Sequence, residues 1–338
     1  MESKSYSKGV SYWLLIGCVM VVVQVLLGGI TRLTGSGLSI TEWNVIMGWI
    51  PPLNDLQWEE AFDKYKQFPQ FHLLNSEMDL SGFKSIFFWE YLHRVWARLI
   101  GVVFLLPFLY FLVRKKFSAS FVQLLLILFA LGALQGLVGW MMVSTGLKDR
   151  PWVTPLSLST HLLLALLTYC FIYWVYLNYN QRERTNNLSI TYLNGLIMLT
   201  GVQLLFGGFM AGSHAALNFN TWPSMNGSFI PMGLWNEQLS FFKNFVENNT
   251  WIQFIHRNTA YVLTLAIVVF WFLNRTKKGV NELHWLLLII FVQVALGITT
   301  ILLSVGKITL VWAVAHQGCA IILLTLLLRL RYKAQPAL

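Results

Sequence analysis

The first long apolar run, residues 12–30, reads YWLLIGCVMVVVQVLLGGI and determines the fold class. An α-helix of this length crosses the hydrocarbon core of a bilayer, which is about 30 Å thick. Seven comparable runs follow, at residues 86–112, 120–143, 157–179, 189–210, 251–273, 283–304 and 310–328. A helix satisfies its own backbone hydrogen bonds in lipid. The sequence therefore predicts an all-α integral membrane protein with eight transmembrane helices, the first of which is not a cleaved signal peptide.

The composition and the charge distribution agree with this interpretation. The 338 residues are 56% hydrophobic and only 11% charged, whereas soluble domains carry roughly a quarter charged residues. In an eight-helix topology, the side of the termini carries 13 Lys and Arg residues and 3 Glu residues. The opposite side carries 8 basic and 10 acidic residues. The positive-inside rule then predicts cytoplasmic termini, in the inner membrane of the cell. Orientation explains the net charge of +10, so we expect no nucleic-acid partner.

The first four apolar runs and the last four have related sequences. The matched landmarks, in order, are Gln24 with Gln203, Gly28 with Gly207, His93 with His256, Gln135 with Gln293, Gly139 with Gly297, and His161 with His316. The first of these pairs are separated by a constant offset of 179 residues. Because each copy has an even number of helices, both copies share one orientation. We therefore predict two four-helix bundles, residues 1–185 and 186–338, related by a pseudo-two-fold axis along the membrane normal.

Four of the seven histidines occupy matched positions in the even-numbered helices, namely His93, His161, His256 and His316. Each lies about 7–12 Å inside the predicted outer end of its helix. Two imidazoles at one depth can bind a heme iron from both faces. The alternative for each histidine is a hydrogen-bonded core or interfacial residue, but the recurrence in both halves favours ligands. The pattern predicts two heme sites near the outer face, one in each half.

One acidic residue breaks the symmetry of the two halves. Glu90 lies three residues before His93, on the same helix face, and its counterpart is the neutral Gln253. A carboxylate near the bilayer edge suggests a function, and the alternative is an ion pair with Arg94. Arg94 and Arg257 each directly follow the first histidine of their half. Both suit pairing with heme propionates, with snorkelling to the interface as the alternative.

Four short stretches carry a family resemblance: GITRLTGSGLS at 29–39, KYKQFP at 64–69, FWEYLHR at 88–94 and FIHR at 254–257. With the eight helices, they resemble the heme A synthase family over the whole chain. The Glu-x-x-His-Arg segment and the long first outward loop are the specific features. Some bacterial members carry a cysteine pair in that loop. This chain has none there, so it resembles the mitochondrial and proteobacterial type.

The resemblance implies an oxidoreductase that converts the C8 methyl of heme O to a formyl group, giving heme A for terminal oxidases. It implies substrate heme O in the N-terminal half, and we therefore expect heme O between His93 and His161. Because the counterpart of Glu90 in the other half is neutral, we expect Glu90 to be the catalytic residue. It also implies a bound heme b between His256 and His316. As partners we expect membrane lipid, an unidentified electron donor and heme O synthase, and the sequence is compatible with a homo-oligomer.

Two other functions compete with this interpretation. A diheme b-type cytochrome would transfer electrons from quinol without altering a heme. Four ligands near one face argue against conduction across the membrane, and the difference between Glu90 and Gln253 has no use in a carrier. A transporter predicts polar helix breaks at the midplane, and the sequence shows none that is convincing.

Overall fold

The computed structural model describes residues 7–42, 47–185 and 187–336, and in these ranges the chain is built of helices. Its α-helices are α1 (Lys8–Leu33), α2 (Asp55–Lys66), α3 (Pro69–Leu74), α4 (Leu80–Val113), α5 (Ala119–Asp149), α6 (Pro155–Tyr179), α7 (Ile190–Ser213), α8 (Phe241–Glu247), α9 (Asn249–Asn274), α10 (Glu282–Leu303) and α11 (Leu310–Lys333).

Eight of the helices in the described ranges are long and apolar enough to cross a membrane: α1, α4, α5, α6, α7, α9, α10 and α11. Each overlaps one predicted run, so the prediction of an all-α, multi-pass membrane protein is confirmed. The start of α4 differs most, because the helix begins at Leu80 rather than at residue 86. The side chain of Asp79 accepts a hydrogen bond from the Gly82 N–H at 2.7 Å, and such an N-cap starts a helix ahead of its apolar run.

Residues 1–168 form one compact unit. Within it, α1 packs against α4, where Trp13 stacks on Phe104 at 4.9 Å between ring centroids. Phe104 in turn meets Phe129 of α5 at 4.7 Å. The segment between α1 and α4, predicted only as a long loop, contains α2 and α3. These short helices bury Tyr65 beside Phe83, so the loop has an aromatic core of its own.

Residues 169–338 form the second compact unit. Here α7 packs against α9 and α11, and α10 packs against the same two helices, which closes a four-helix ring. Leu193, Ile267, Leu283 and Leu327 fill its centre and are fully buried. The division between the units falls inside α6, ahead of the predicted boundary at residue 185. The domain boundary and the pseudo-two-fold axis stay predictions.

Candidate functional site

The second unit brings His256 of α9 and His316 of α11 close together. Their ring centroids lie 6.5 Å apart and the ring planes are inclined by 73°. A metal–imidazole bond is about 2.0–2.1 Å long, so two rings on opposite sides of one metal have centres roughly 6 Å apart. The observed separation therefore fits one metal between the two nitrogens, as in a heme with two axial histidines.

The first unit brings together the other predicted pair, His93 of α4 and His161 of α6. The two imidazoles are close enough to interact electrostatically, and both side chains are partly buried. Each half therefore contains its own pair of histidines, as the sequence predicts. Their role as iron ligands stays a prediction.

Each of the four imidazoles packs against a glycine of a neighbouring transmembrane helix. A Cβ placed on the glycine would approach the imidazole Cε1 to 3.2 Å for Gly28 and His93, 2.9 Å for Gly139 and His161, 3.4 Å for Gly207 and His256, and 2.8 Å for Gly297 and His316. Carbon atoms in ordinary contact lie about 3.5–4.0 Å apart. At Gly28, Gly139 and Gly297 the missing side chain thus leaves space that the imidazole occupies, whereas a side chain at Gly207 would be in ordinary contact with its imidazole.

A glutamine also contacts each imidazole in the first unit. Nε2 of Gln24 lies 3.2 Å from both ring nitrogens of His93 and donates to its backbone carbonyl at 3.2 Å. Nε2 of Gln135 lies 3.4 Å from Nε2 of His161 and donates to its backbone carbonyl at 3.0 Å. Nδ1 of His161 is buried and has no hydrogen-bond partner among the described residues.

The second unit repeats the glutamines and adds a backbone contact at His316. Nε2 of Gln203 lies 3.2 and 3.3 Å from the ring nitrogens of His256. Nε2 of Gln293 lies 3.3 Å from Nε2 of His316. Nδ1 of His316 lies 3.0 Å from the Gln293 backbone carbonyl. The His316 imidazole is therefore tied to the main chain.

The glutamine contacts were not predicted, although the sequence contains their signal. A Gln-x-x-x-Gly motif lies on the transmembrane helix that precedes each histidine-bearing transmembrane helix, starting at Gln24, Gln135, Gln203 and Gln293. Residues four apart share one face of a helix, so the amide and the gap left by the glycine meet the same imidazole. In the sequence these residues are recognisable as landmarks of the repeat.

Glu90 is buried, with 2% of its surface exposed, and both carboxylate oxygens have partners. Oε2 accepts from the Ser39 hydroxyl and from the Ile40 N–H, each at 2.8 Å. Oε1 pairs with the Arg94 guanidinium at 2.6 Å. Arg94 also donates to the carbonyls of Ile40 and Glu42 at 2.9 and 3.0 Å. The ion pair weighed as an alternative role for Glu90 is therefore present, and it fixes the chain that follows α1.

The second unit has the corresponding contacts, but the donor and acceptor are exchanged in one of them. The loop donates a hydrogen bond to Glu90, whereas it accepts one from Gln253. Gln253 donates to the Phe219 carbonyl at 2.9 Å, and Arg257 donates to Phe219 and Thr221, each at 2.8 Å. Phe219 and Thr221 stand 179 residues after the two residues whose carbonyls Arg94 contacts. Both arginines thus hold loop carbonyls. Their predicted pairing with heme propionates stays a prediction.

The loop over the first unit is held by further polar contacts outside the membrane-spanning segments. Lys64 pairs with Glu42 and Glu60, each at 2.8 Å, and these hydrogen bonds raise the pKa of Lys64 above its ordinary value. The Tyr65 hydroxyl donates to Gln70 at 3.1 Å and accepts from Asn75 at 2.7 Å. Burial raises the pKa of Tyr65.

Comparison with known proteins identifies the family. The profile of a family described as "Cytochrome oxidase assembly protein" matches residues 11–328. This chain belongs to that family. Curated family members named "Heme A synthase" include one from Nitrosomonas eutropha, 43% identical over 327 residues, which are 94% of this chain and 91% of the relative. One from Flavobacterium johnsoniae is 40% identical over 95% and 96% of the two chains. One from Rhodopseudomonas palustris is 45% identical over 94% and 87%.

These relatives bear on the expectations from sequence. The predicted resemblance to the heme A synthase family is confirmed, and it places the chain among enzymes. The family match covers all eight transmembrane helices and both histidine pairs.

Proposed function

We propose that the chain is a heme A synthase, an oxidoreductase that converts the C8 methyl of heme O to a formyl group. The observation that carries the proposal is the pair of histidine sites, of which, among the described residues, one has a buried carboxylate, Glu90, on the histidine helix where the other has Gln253. The names of its relatives support the same reaction. A carrier of electrons needs two heme sites but no such difference between them.

The two sites have separate tasks in this proposal. His256 and His316 hold heme b, which when bound supplies a redox-active iron. His93 and His161 hold the substrate, heme O, and fix the orientation of its ring relative to Glu90. The methyl is hydroxylated twice, and the resulting geminal diol loses water to leave the aldehyde. Each hydroxylation adds one oxygen atom to the methyl carbon and removes two electrons from it, so the reaction needs an oxygen source and an electron-transfer partner from outside the chain.

Glu90 acts at the methyl-bearing edge of the substrate. Its helix places it about one turn from His93. The Ser39 hydroxyl, the Ile40 N–H and Arg94 hold the carboxylate in one orientation, so little reorganisation is needed when charge develops nearby. In that position it accepts a proton or stabilises positive charge at the ring edge. Gln253, its counterpart, is neutral and serves neither purpose.

The same proposal includes the location of the protein and its partners. The charge distribution supports an inner-membrane protein with both termini in the cytoplasm and both heme sites near the outer face. Heme O synthase is the partner that would supply the substrate, and membrane lipid surrounds the eight helices. A homo-oligomer is compatible with these assignments.

The test is co-expression with a heme O synthase in a strain that lacks any other copy, followed by chromatography of the extracted hemes. We expect heme A from the native chain. Glu90→Gln should retain its hemes but accumulate heme O or a hydroxylated intermediate. Glu282→Gln is the matched control, because Glu282 also pairs with basic side chains, Arg329 and Lys333, but lies in the other unit. Absence of heme A from the native chain, with quinol-dependent heme reduction intact, would favour the diheme cytochrome.

A further inference from the structure

A cavity of about 270 Å³ lies at one end of the second unit, where α6 and α11 end at Tyr179 and Lys333. The last turns of α11 form one wall, and residues 180–183, which follow α6, form another. The chain after α6 is bonded to α11, because the Thr185 N–H donates a hydrogen bond to the Lys333 carbonyl at 2.8 Å. The cavity is therefore bounded by main chain that is held in place.

Three basic side chains line this cavity, Arg182, Arg329 and Lys333. Arg329 donates to Glu282 through Nε at 2.7 Å, and Lys333 donates to the same carboxylate through Nζ at 2.8 Å. Glu183 adds an acidic side chain to the lining. The three cations and these two carboxylates together leave one positive charge. The lining therefore suits a ligand that carries one negative charge.

Two of the basic side chains are held in fixed orientations by the protein itself. Arg182 donates to the Tyr176 hydroxyl at 3.0 Å, and its guanidinium carbon lies 5.9 Å from the centroid of the same ring. Arg329 is oriented by its hydrogen bond to Glu282. A guanidinium presents planar N–H donors that match the oxygens of a phosphate. Arginines that are already oriented lose little conformational entropy on binding, so this lining favours a phosphate group.

The position of the cavity along the helices indicates the source of the phosphate. Both α6 and α11 are long and apolar enough to cross a membrane, so their ends lie near the level of the lipid headgroups. Leu177, near the end of α6, is buried and adds an apolar side chain to the lining. Basic pockets at the cytoplasmic ends of transmembrane helices bind anionic headgroups. A phosphodiester with a neutral headgroup carries the single negative charge that balances the lining.

We propose that this cavity binds the phosphate of an anionic phospholipid from the leaflet on the side of the termini. Arg182 and Arg329 bind the phosphate oxygens, and Lys333 adds positive charge. Glu183 is exposed, so solvent screens its charge and it opposes binding only weakly. The bound lipid joins the end of α11 to the chain that follows α6. This lipid site is independent of the heme chemistry and of the proposed function.

The experiment measures lipid binding to the full-length protein, purified in a non-ionic detergent and stripped of lipid. The protein is titrated with phosphatidylglycerol, which carries one negative charge, or with phosphatidylcholine, which has the same phosphodiester but no net charge. Native mass spectrometry counts the lipids bound at each concentration and gives a Kd. We expect one phosphatidylglycerol to bind at least about tenfold more tightly than phosphatidylcholine.

Charge variants identify the site. Arg182→Gln and Arg329→Gln should each weaken phosphatidylglycerol binding about fivefold or more, because each removes a positive charge next to the lipid. Glu183→Gln should strengthen binding about two- to fivefold, since it removes a like charge. The matched control is Arg275→Gln, which removes a positive charge just after α9, outside the cavity lining. It should change the Kd by less than about twofold.

Circular dichroism and size-exclusion chromatography show that each variant is folded. Arg182 and Glu183 are exposed, so their variants decide the matter if Arg329→Gln does not fold. Equal weakening by Arg182→Gln and Arg275→Gln would indicate nonspecific attraction to the protein surface and would overturn the proposal. So would displacement of the lipid by inorganic phosphate at equal concentration, because the ligand would then be a soluble anion.

Discussion

Replacing Gly297 by alanine should weaken heme binding to His316 while stabilising the helix that carries the substitution. The new Cβ would lie 2.8 Å from Cε1 of the imidazole, well inside ordinary contact. A free imidazole could move aside, but one that is bound to iron cannot move without losing the bond. Overpacking of this kind costs about 1–3 kcal/mol. At about 1.4 kcal/mol per factor of ten, heme affinity should fall roughly 5- to 150-fold.

The matched control is Gly207→Ala, because Gly207 packs against His256, the other predicted ligand of the same heme. At Gly207 the added Cβ would lie 3.4 Å from His256, which is ordinary contact, so Gly207→Ala should change heme affinity by less than about threefold. Both substitutions gain up to about 1 kcal/mol of helix propensity. The assay is heme b content and release, with thermal unfolding followed by circular dichroism. Normal heme retention in Gly297→Ala, or greater loss in Gly207→Ala, would refute the steric argument.

Three further predictions follow from other contacts. His256→Ala should abolish the bis-imidazole absorption of heme b, whereas His284→Ala, which removes an acceptor for Trp271, should leave that spectrum intact. Arg257→Lys cannot hold both loop carbonyls, at a cost of about 1–3 kcal/mol for a buried group left unpaired, and should increase proteolysis of residues 218–224. The pKa of Tyr65 is raised, so its contribution to stability is complete below about pH 10 and is lost as the pH rises through the raised value. Tyr65→Phe should remove this alkaline loss, measured by hydrogen exchange in α2 and α3.

The transmembrane helices were predictable because lipid imposes a simple rule on the sequence. Each apolar run had to be helical along its whole length, and the predicted ends lie within about five residues of the observed ones except at the end of α5, which is Asp149, and at the start of α4. There the polar N-cap Asp79 and the amphipathic residues after it extend the helix beyond its apolar run. The two histidine pairs were predictable for a related reason, since equal depth in repeated helices brings side chains to one level.

The partners of the histidines could not be predicted from composition or periodicity. The contact between Gln135 and His161 depends on how α5 and α6 pack, and no local rule specifies which apolar helix faces which. The contacts of Arg94 and Arg257 with loop carbonyls depend on the path of the chain after α1 and α7. The sequence alone does not predict which loop carbonyl lies opposite each arginine. The repeat of Gln-x-x-x-Gly ahead of every predicted ligand is the pattern that would have indicated the contacts.

The loop peptide donates a hydrogen bond in one half and accepts one in the other. This difference limits how the halves can be exchanged in a chimera. In the first unit the chain presents the Ile40 N–H to a carboxylate, whereas in the second it presents the Phe219 carbonyl to an amide. Gln253→Glu alone would therefore set an anionic oxygen against a carbonyl oxygen. A second acidic site requires the loop segment to be transplanted together with the side chain. A redesign must therefore change the helix residue and the peptide group that it binds together.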